Sequence, residues 1–205
     1  MSELQKALSE ISAIRGHLAR GAEFRGYGPS TLAATGLLAL LAAGAQSSWL
    51  KDPERDITGY LAIWITTAAV SLLIIGIETV LRARRLHVGL AGPMLHSAVE
   101  QFLPAIVAGL ALTVVLPRFA PQSLWMLPGL WQIVFSLGVF ASCRFLPRPM
   151  YAVGIWYLVA GFICLSLGDG QRTLSPWMMG VPFGVGQLLV AAVLQDNYRN
   201  VDEPT

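Results

Sequence analysis

Residues 57–80 read ITGYLAIWITTAAVSLLIIGIETV and carry no charge before Glu78. Such a stretch has no polar face to offer water. A helix needs about 20 apolar residues to cross the ~30 Å hydrocarbon core of a bilayer, so this segment reads as a membrane span. Five further segments have the same character, at 29–50, 98–120, 123–145, 150–168 and 176–195. The composition of the 205-residue chain agrees: 55% of residues are hydrophobic, 13% are charged and mean hydropathy is +0.60, whereas soluble domains hold roughly 25% charged residues. The expected fold is all-α, a polytopic membrane protein with six transmembrane helices. The links are short, which makes successive helices antiparallel neighbours in one bundle. The longest link, Arg82–His96, is read as holding a brief interfacial turn.

Working outward, residues 1–28 are polar and expected to form a cytoplasmic amphipathic helix and link. Ser2 and Gln5 fit a capping box, in which hydroxyl and amide each satisfy an orphan backbone group. Leu4, Ala7, Ile11, Ile14 and Leu18 follow at spacings of three and four, a narrow apolar seam with charges outside it. Leu4, Ile11, Ile14 and Leu18 are the candidate association seam, for the helix's own bundle, the membrane surface, a second copy or a cytoplasmic protein. Residues 29–195 form the expected transmembrane bundle and 196–205 a short cytoplasmic tail. The run Leu37–Ala45 resembles a signal-peptide core ending in a small-residue cleavage site, but the polar region before it is far too long for one.

Charge sets the orientation. Of the fourteen Lys and Arg residues, ten fall on one side when the spans alternate, among them Lys6, Arg15, Arg82, Arg84, Arg85, Arg144, Arg148 and Arg199. The positive-inside rule then places both termini in the cytoplasm. Trp49, Trp125, Trp156 and Trp177 fall near span ends, as an aromatic belt requires, and Trp64 and Trp131 lie deeper. Net charge is +2 without a basic tract, so the partner is the lipid bilayer and no nucleic acid. Cys143 and Cys164 fall on successive spans near opposite faces, too far apart for a disulfide.

Ionisable groups at membrane depth are expensive and mark function by default. Glu78 stands one turn before Arg82, the spacing of a favourable helical pair. His96 and Glu100 share a helical face at the entrance to the third span, beside Gln101; the carboxylate is placed either to hold the imidazole in one tautomer or to pair with the arginines of the preceding link. Deeper positions carry neutral groups: Thr66, Thr67 and Ser71, then Gln132 and Gln187. These either join helices through hydrogen bonds or line a path. His96, Glu100, Gln101, Gln132 and Gln187 therefore form the candidate polar and proton site. Gly36 and Gly44 on the first span, and Gly180, Gly184 and Gly186 on the sixth, are suited to close helix packing. Pro104, Pro128 and Pro182 interrupt spans three, four and six, and Pro128-Gly129 is expected to open the fourth helix locally.

No catalytic residue, metal ligand set or cofactor is expected. None of His17, His87 and His96 lies deep in a span, which argues against an intramembrane haem. The HExxH motif, a paired intramembrane aspartate and a phosphate-binding glycine loop are absent from the sequence. Ser136, Ser142 and Ser166 have no base at matching depth.

With the spans placed, the chain resembles a family of uncharacterised bacterial six-span integral membrane proteins with no established activity. The resemblance is carried by EISAIRGHLARGAEFRGYGPSTLAATGLLAL (10–40), MLHSAVEQFLPAIVAGLALTVVLPRFAP (94–121), LWMLPGLWQIVFSLGVFASCRFLPRPM (124–150) and SPWMMGVPFGVGQLLVAAVL (175–194). It implies an all-helical protein of the bacterial inner membrane and carries over no functional residue. The leading expectation is a non-enzymatic protein acting through helix–helix or protein–protein contacts. The alternative is a small transporter or channel using polar groups on spans three, four and six, with a membrane enzyme acting on a lipid-like substrate as a minor one.

Overall fold

The structure is a computed structural model that describes residues 28–86, 91–143, 146, 148–168 and 170–202. It is all-helical. Six long helices run α1 Pro29–Trp49, α2 Ile57–Leu86, α3 Ala91–Phe119, α4 Leu127–Ser142, α5 Met150–Ser166 and α6 Pro176–Asp202. A 3-10 helix, Pro121–Met126, leads into α4, and a four-residue turn of helix, Gly170–Thr173, precedes α6. Five of the elements are long and apolar enough to cross a membrane, the 3-10 helix and α4 counting together; α5, at 17 residues, is a shorter apolar helix. The seam residues Leu4, Ile11, Ile14 and Leu18 lie outside the described residues.

The helix boundaries follow from local chemistry. Proline opens α1 and α6, where its fixed φ suits a first turn whose N–H has no intrahelical partner. Asp56 caps α2, its Oδ1 accepting the Gly59 N–H at 2.9 Å. Gly168 follows α5 at φ +66°, the left-handed conformation that ends a helix without a Cβ clash. Two expected boundaries move. Helix α2 continues to Leu86 and α3 starts at Ala91, so most of the Arg82–His96 link is regular helix. Helix α6 runs on to Asp202, through most of the expected tail. At about 1.5 Å per residue, α2, α3 and α6 each exceed the ~30 Å core, so their ends extend past it.

The helices pack in the order α2, α1, α6, α5, α4, α3. Consecutive helices are not always neighbours: α1 lies along α6, and α2 and α3 stand at the two ends of the row. Small residues make the main crossing possible. A Cβ added at Gly36 would lie 2.9 Å from the Gly184 carbonyl oxygen, and one at Gly180 would lie 2.5 Å from the Ala43 Cβ. The α4/α5 crossing is built in the same way, on Gly129 and Gly161, each facing the other's carbonyl. With lipid outside, such close contact replaces the hydrophobic effect as the force joining helices.

Two buried clusters result. One, around Leu32, Met150, Tyr157 and Leu194, lies toward the starts of α1 and α5 and the later part of α6. The other, around Ala43, Tyr60, Trp64, Leu174 and Met179, occupies the opposite end. Phe183 packs against both. Its ring meets those of Phe135, at 5.5 Å between centroids, and Tyr157, at 5.2 Å.

Candidate functional site

The polar interior is assembled from glutamine and tryptophan side chains that reach across helices. Gln46, near the end of α1, is fully buried. Its Nε2 donates to the Leu174 carbonyl at 2.8 Å, and its Oε1 accepts from Trp64 Nε1 at 2.7 Å. One side chain thus joins α1, α2 and the turn before α6, with the amide's donor and acceptor both engaged.

Gln132 is likewise fully buried, and backbone chemistry explains its position. Pro182 lies inside α6 and has no N–H, so the Met178 carbonyl four residues earlier loses its helical partner. Gln132 Nε2 donates to that carbonyl at 2.7 Å. A side chain from α4 therefore supplies the donor that α6 lacks, the substitution that lets proline persist in membrane helices. Trp156 Nε1 donates to the Pro182 carbonyl at 2.9 Å, which ties α5 to the same turn. Ser136 Oγ donates to the Gly154 carbonyl, also at 2.9 Å, and Trp131 Nε1 to Thr113 Oγ1 at 3.0 Å. Trp156 is accordingly an interhelical donor on α5; Trp49 and Trp177 are exposed near helix ends, as a belt requires.

Pro128 does not open α4. It occupies the first turn of that helix, at the junction where the 3-10 helix passes into it. Pro104 lies inside α3.

Of the five expected polar-site residues, the four whose side chains are described do not come together. Glu100 and Gln101 are exposed on α3. His96 belongs to α3, and its side chain lies outside the described residues. Gln132 and Gln187 are inside the bundle, but Gln187 is nine residues beyond Met178 on α6, about 14 Å by helical rise. Its neighbour is Tyr157, whose hydroxyl interacts with the Gln187 side chain although neither the hydroxyl nor Gln187 Oε1 forms a hydrogen bond of standard geometry. Glu78 Oε2 accepts the Gly28 N–H at 3.3 Å, which puts a carboxylate at the positive end of the α1 dipole; the side chain of its expected partner Arg82 lies outside the described residues.

Gln46, Tyr60 and Tyr157 are among the interior groups that sequence reasoning missed, as are Thr35 and Thr173. Gln46 was visible as an amide in an otherwise apolar span, at a depth matching Trp64 on the next one. Cys143 and Cys164 are both buried and unbridged, and among the described residues no group of three or more metal-ligating side chains comes together.

No family model matches the chain, and comparison with curated proteins and with solved structures finds no similar protein.

Proposed function

We propose that the chain is a non-enzymatic six-span protein of the bacterial inner membrane, related to the uncharacterised family it resembles, that acts through contacts made by its helices. Both termini lie in the cytoplasm in this reading, and α5 is the sixth span, at the lower limit of about 17 residues for a crossing helix. The observation that supports it most is the use of Gln132. The deepest polar side chain of the candidate site is engaged in holding two helices together, as are Gln46, Trp64 and Trp156. The surface offered to partners is then the N-terminal seam of Leu4, Ile11, Ile14 and Leu18. Native mass spectrometry of the protein released gently from its own membrane tests this. A homo-oligomer that dissociates when the four seam residues are changed to Ala supports the reading, and association unaltered by the same changes overturns it.

A second reading, solute binding within the bundle for transport, is favoured by one specific observation: Gln132 Oε1 and Gln187 Oε1 are buried acceptors without a hydrogen-bond partner. It requires that Gln132→Leu and Gln187→Leu each abolish solute flux in proteoliposomes while the protein remains folded.

A further inference from the structure

Links between helices run over the surface, because buried backbone needs partners for its polar groups. The stretch that joins α5 to α6 departs from this. Arg172 is exposed, but Thr173 and Leu174, which follow it, are only 0% and 2% exposed. Leu174 is seated in the cluster of Ala42, Ala43, Tyr60, Trp64 and Met179, and the turn of helix before it packs on the 3-10 helix Pro121–Met126. The carbonyls of both buried residues are met by side chains from other elements. Gln46 Nε2 donates to that of Leu174 at 2.8 Å, and the Cys164 thiol, a weak donor, approaches that of Thr173 at 4.0 Å.

Gln46 has a second attachment. Its Oε1 accepts from Trp64 Nε1 at 2.7 Å, which fixes the plane of the amide and keeps its donor aimed at Leu174. Trp64 belongs to α2, which stands at one end of the row of helices and packs on α1. Little of the apolar stretch of α2 is buried, and elements with few buried contacts open at the lowest cost. A shift of α2 that withdraws the Trp64 N–H lets the Gln46 amide rotate, and the Leu174 carbonyl then loses its donor. We propose that residues 172–175 are a strap that closes this end of the bundle, with Gln46 as its latch and Trp64 as the positioning residue that couples the latch to α2. The device depends on neither functional reading.

The thiol beneath the strap reports on it, because Cys164 is buried beside the Thr173 carbonyl. In the full-length protein in detergent, Cys143→Ala leaves Cys164 as the single thiol, and its rate of alkylation by a maleimide measures how often the strap lifts. The rate should rise about 10- to 100-fold in Gln46→Leu, the factor by which one or two unmet buried hydrogen bonds shift a local opening. Trp64→Phe should raise it by a smaller factor, and carries the test alone where Gln46→Leu does not fold. Gly36→Ala, about 15 Å along α1 from Gln46, should lower the thermal midpoint and leave the rate unchanged. A folded Gln46→Leu variant alkylated no faster than the parent overturns the latch, and a Trp64→Phe rate equal to the parent's overturns the coupling to α2. Rates that follow the thermal midpoint in every variant, Gly36→Ala included, overturn the strap itself, because the thiol is then reached only through global unfolding.

Discussion

Gln132 stands in for the N–H that Pro182 lacks: its amide nitrogen reaches the Met178 carbonyl at 2.7 Å, four residues before the proline. The two residues are therefore energetically coupled although they lie on different helices. Gln132→Met removes the donor with little change in volume and should cost about 1–3 kcal/mol by exposing a buried carbonyl without a partner. Pro182→Ala gives α6 its own donor to Met178. In that background the cost of Gln132→Met should fall by at least ~0.5 kcal/mol, the scale on which residues sharing one network depart from additivity. Thermal unfolding of the four proteins in one detergent measures this, and strictly additive costs would refute the coupling.

The glycines divide into two groups with opposite expected responses. Gly36→Ala places a Cβ against the Gly184 carbonyl, and Gly161→Ala places one 2.8 Å from the Gly129 carbonyl. Each should force its helix pair apart and destabilise the protein by about 1–3 kcal/mol, as overpacking does. Gly76 and Gly109 have open space where the Cβ would go. There alanine should be neutral or stabilise by up to about 1 kcal/mol through helix propensity. Unfolding midpoints for the four variants decide it; equal effects across both groups would contradict the packing order of the helices.

How far the sequence could lead is visible in these same residues. The edges at Pro29, Ile57, Met150 and Pro176 were legible because helix starts depend on nearby residues, and so was the suitability of Gly36, Gly180, Gly184 and Gly186 for close contact, whereas Gly44, read in the same way, faces open space. Which helix each glycine meets was not legible, because the order α2, α1, α6, α5, α4, α3 is a property of three-dimensional packing. The site suffered for the same reason. Gln132 was identifiable as a polar group at depth, but its partner is a carbonyl exposed by a proline fifty positions later. Pro128 was misplaced because proline at a helix start and proline within a span look alike until the start is known. His96, Glu100 and Gln101 were grouped with Gln132 by polarity alone, and α3 places the two of them whose side chains are described on an exposed surface.

The bridge through Gln46 should behave as a unit. Trp64→Phe keeps most of the buried ring but leaves Gln46 Oε1 without its donor, and Gln46→Leu strands both the Trp64 N–H and the Leu174 carbonyl. Gln46→Leu should be the more damaging of the two, and the double variant should cost less than the sum of the singles. Indole fluorescence and thermal unfolding of the three variants report on the bridge. Summed costs would show that the two residues contribute independently.

Orientation can be read from cysteine chemistry because both native thiols are buried. In intact cells a membrane-impermeant maleimide should leave the folded wild-type protein unlabelled. Lys51 and Arg148 are exposed on the links after α1 and before α5, which the alternation of spans puts on opposite sides. In the proposed topology, Lys51→Cys should be labelled in sealed spheroplasts, whereas Arg148→Cys should be labelled only after the membrane is opened. The reverse pattern would place the basic side outside, against the positive-inside rule. Labelling of both positions in sealed spheroplasts would mean that the stretch between them crosses an even number of times, which would remove one of the six proposed spans.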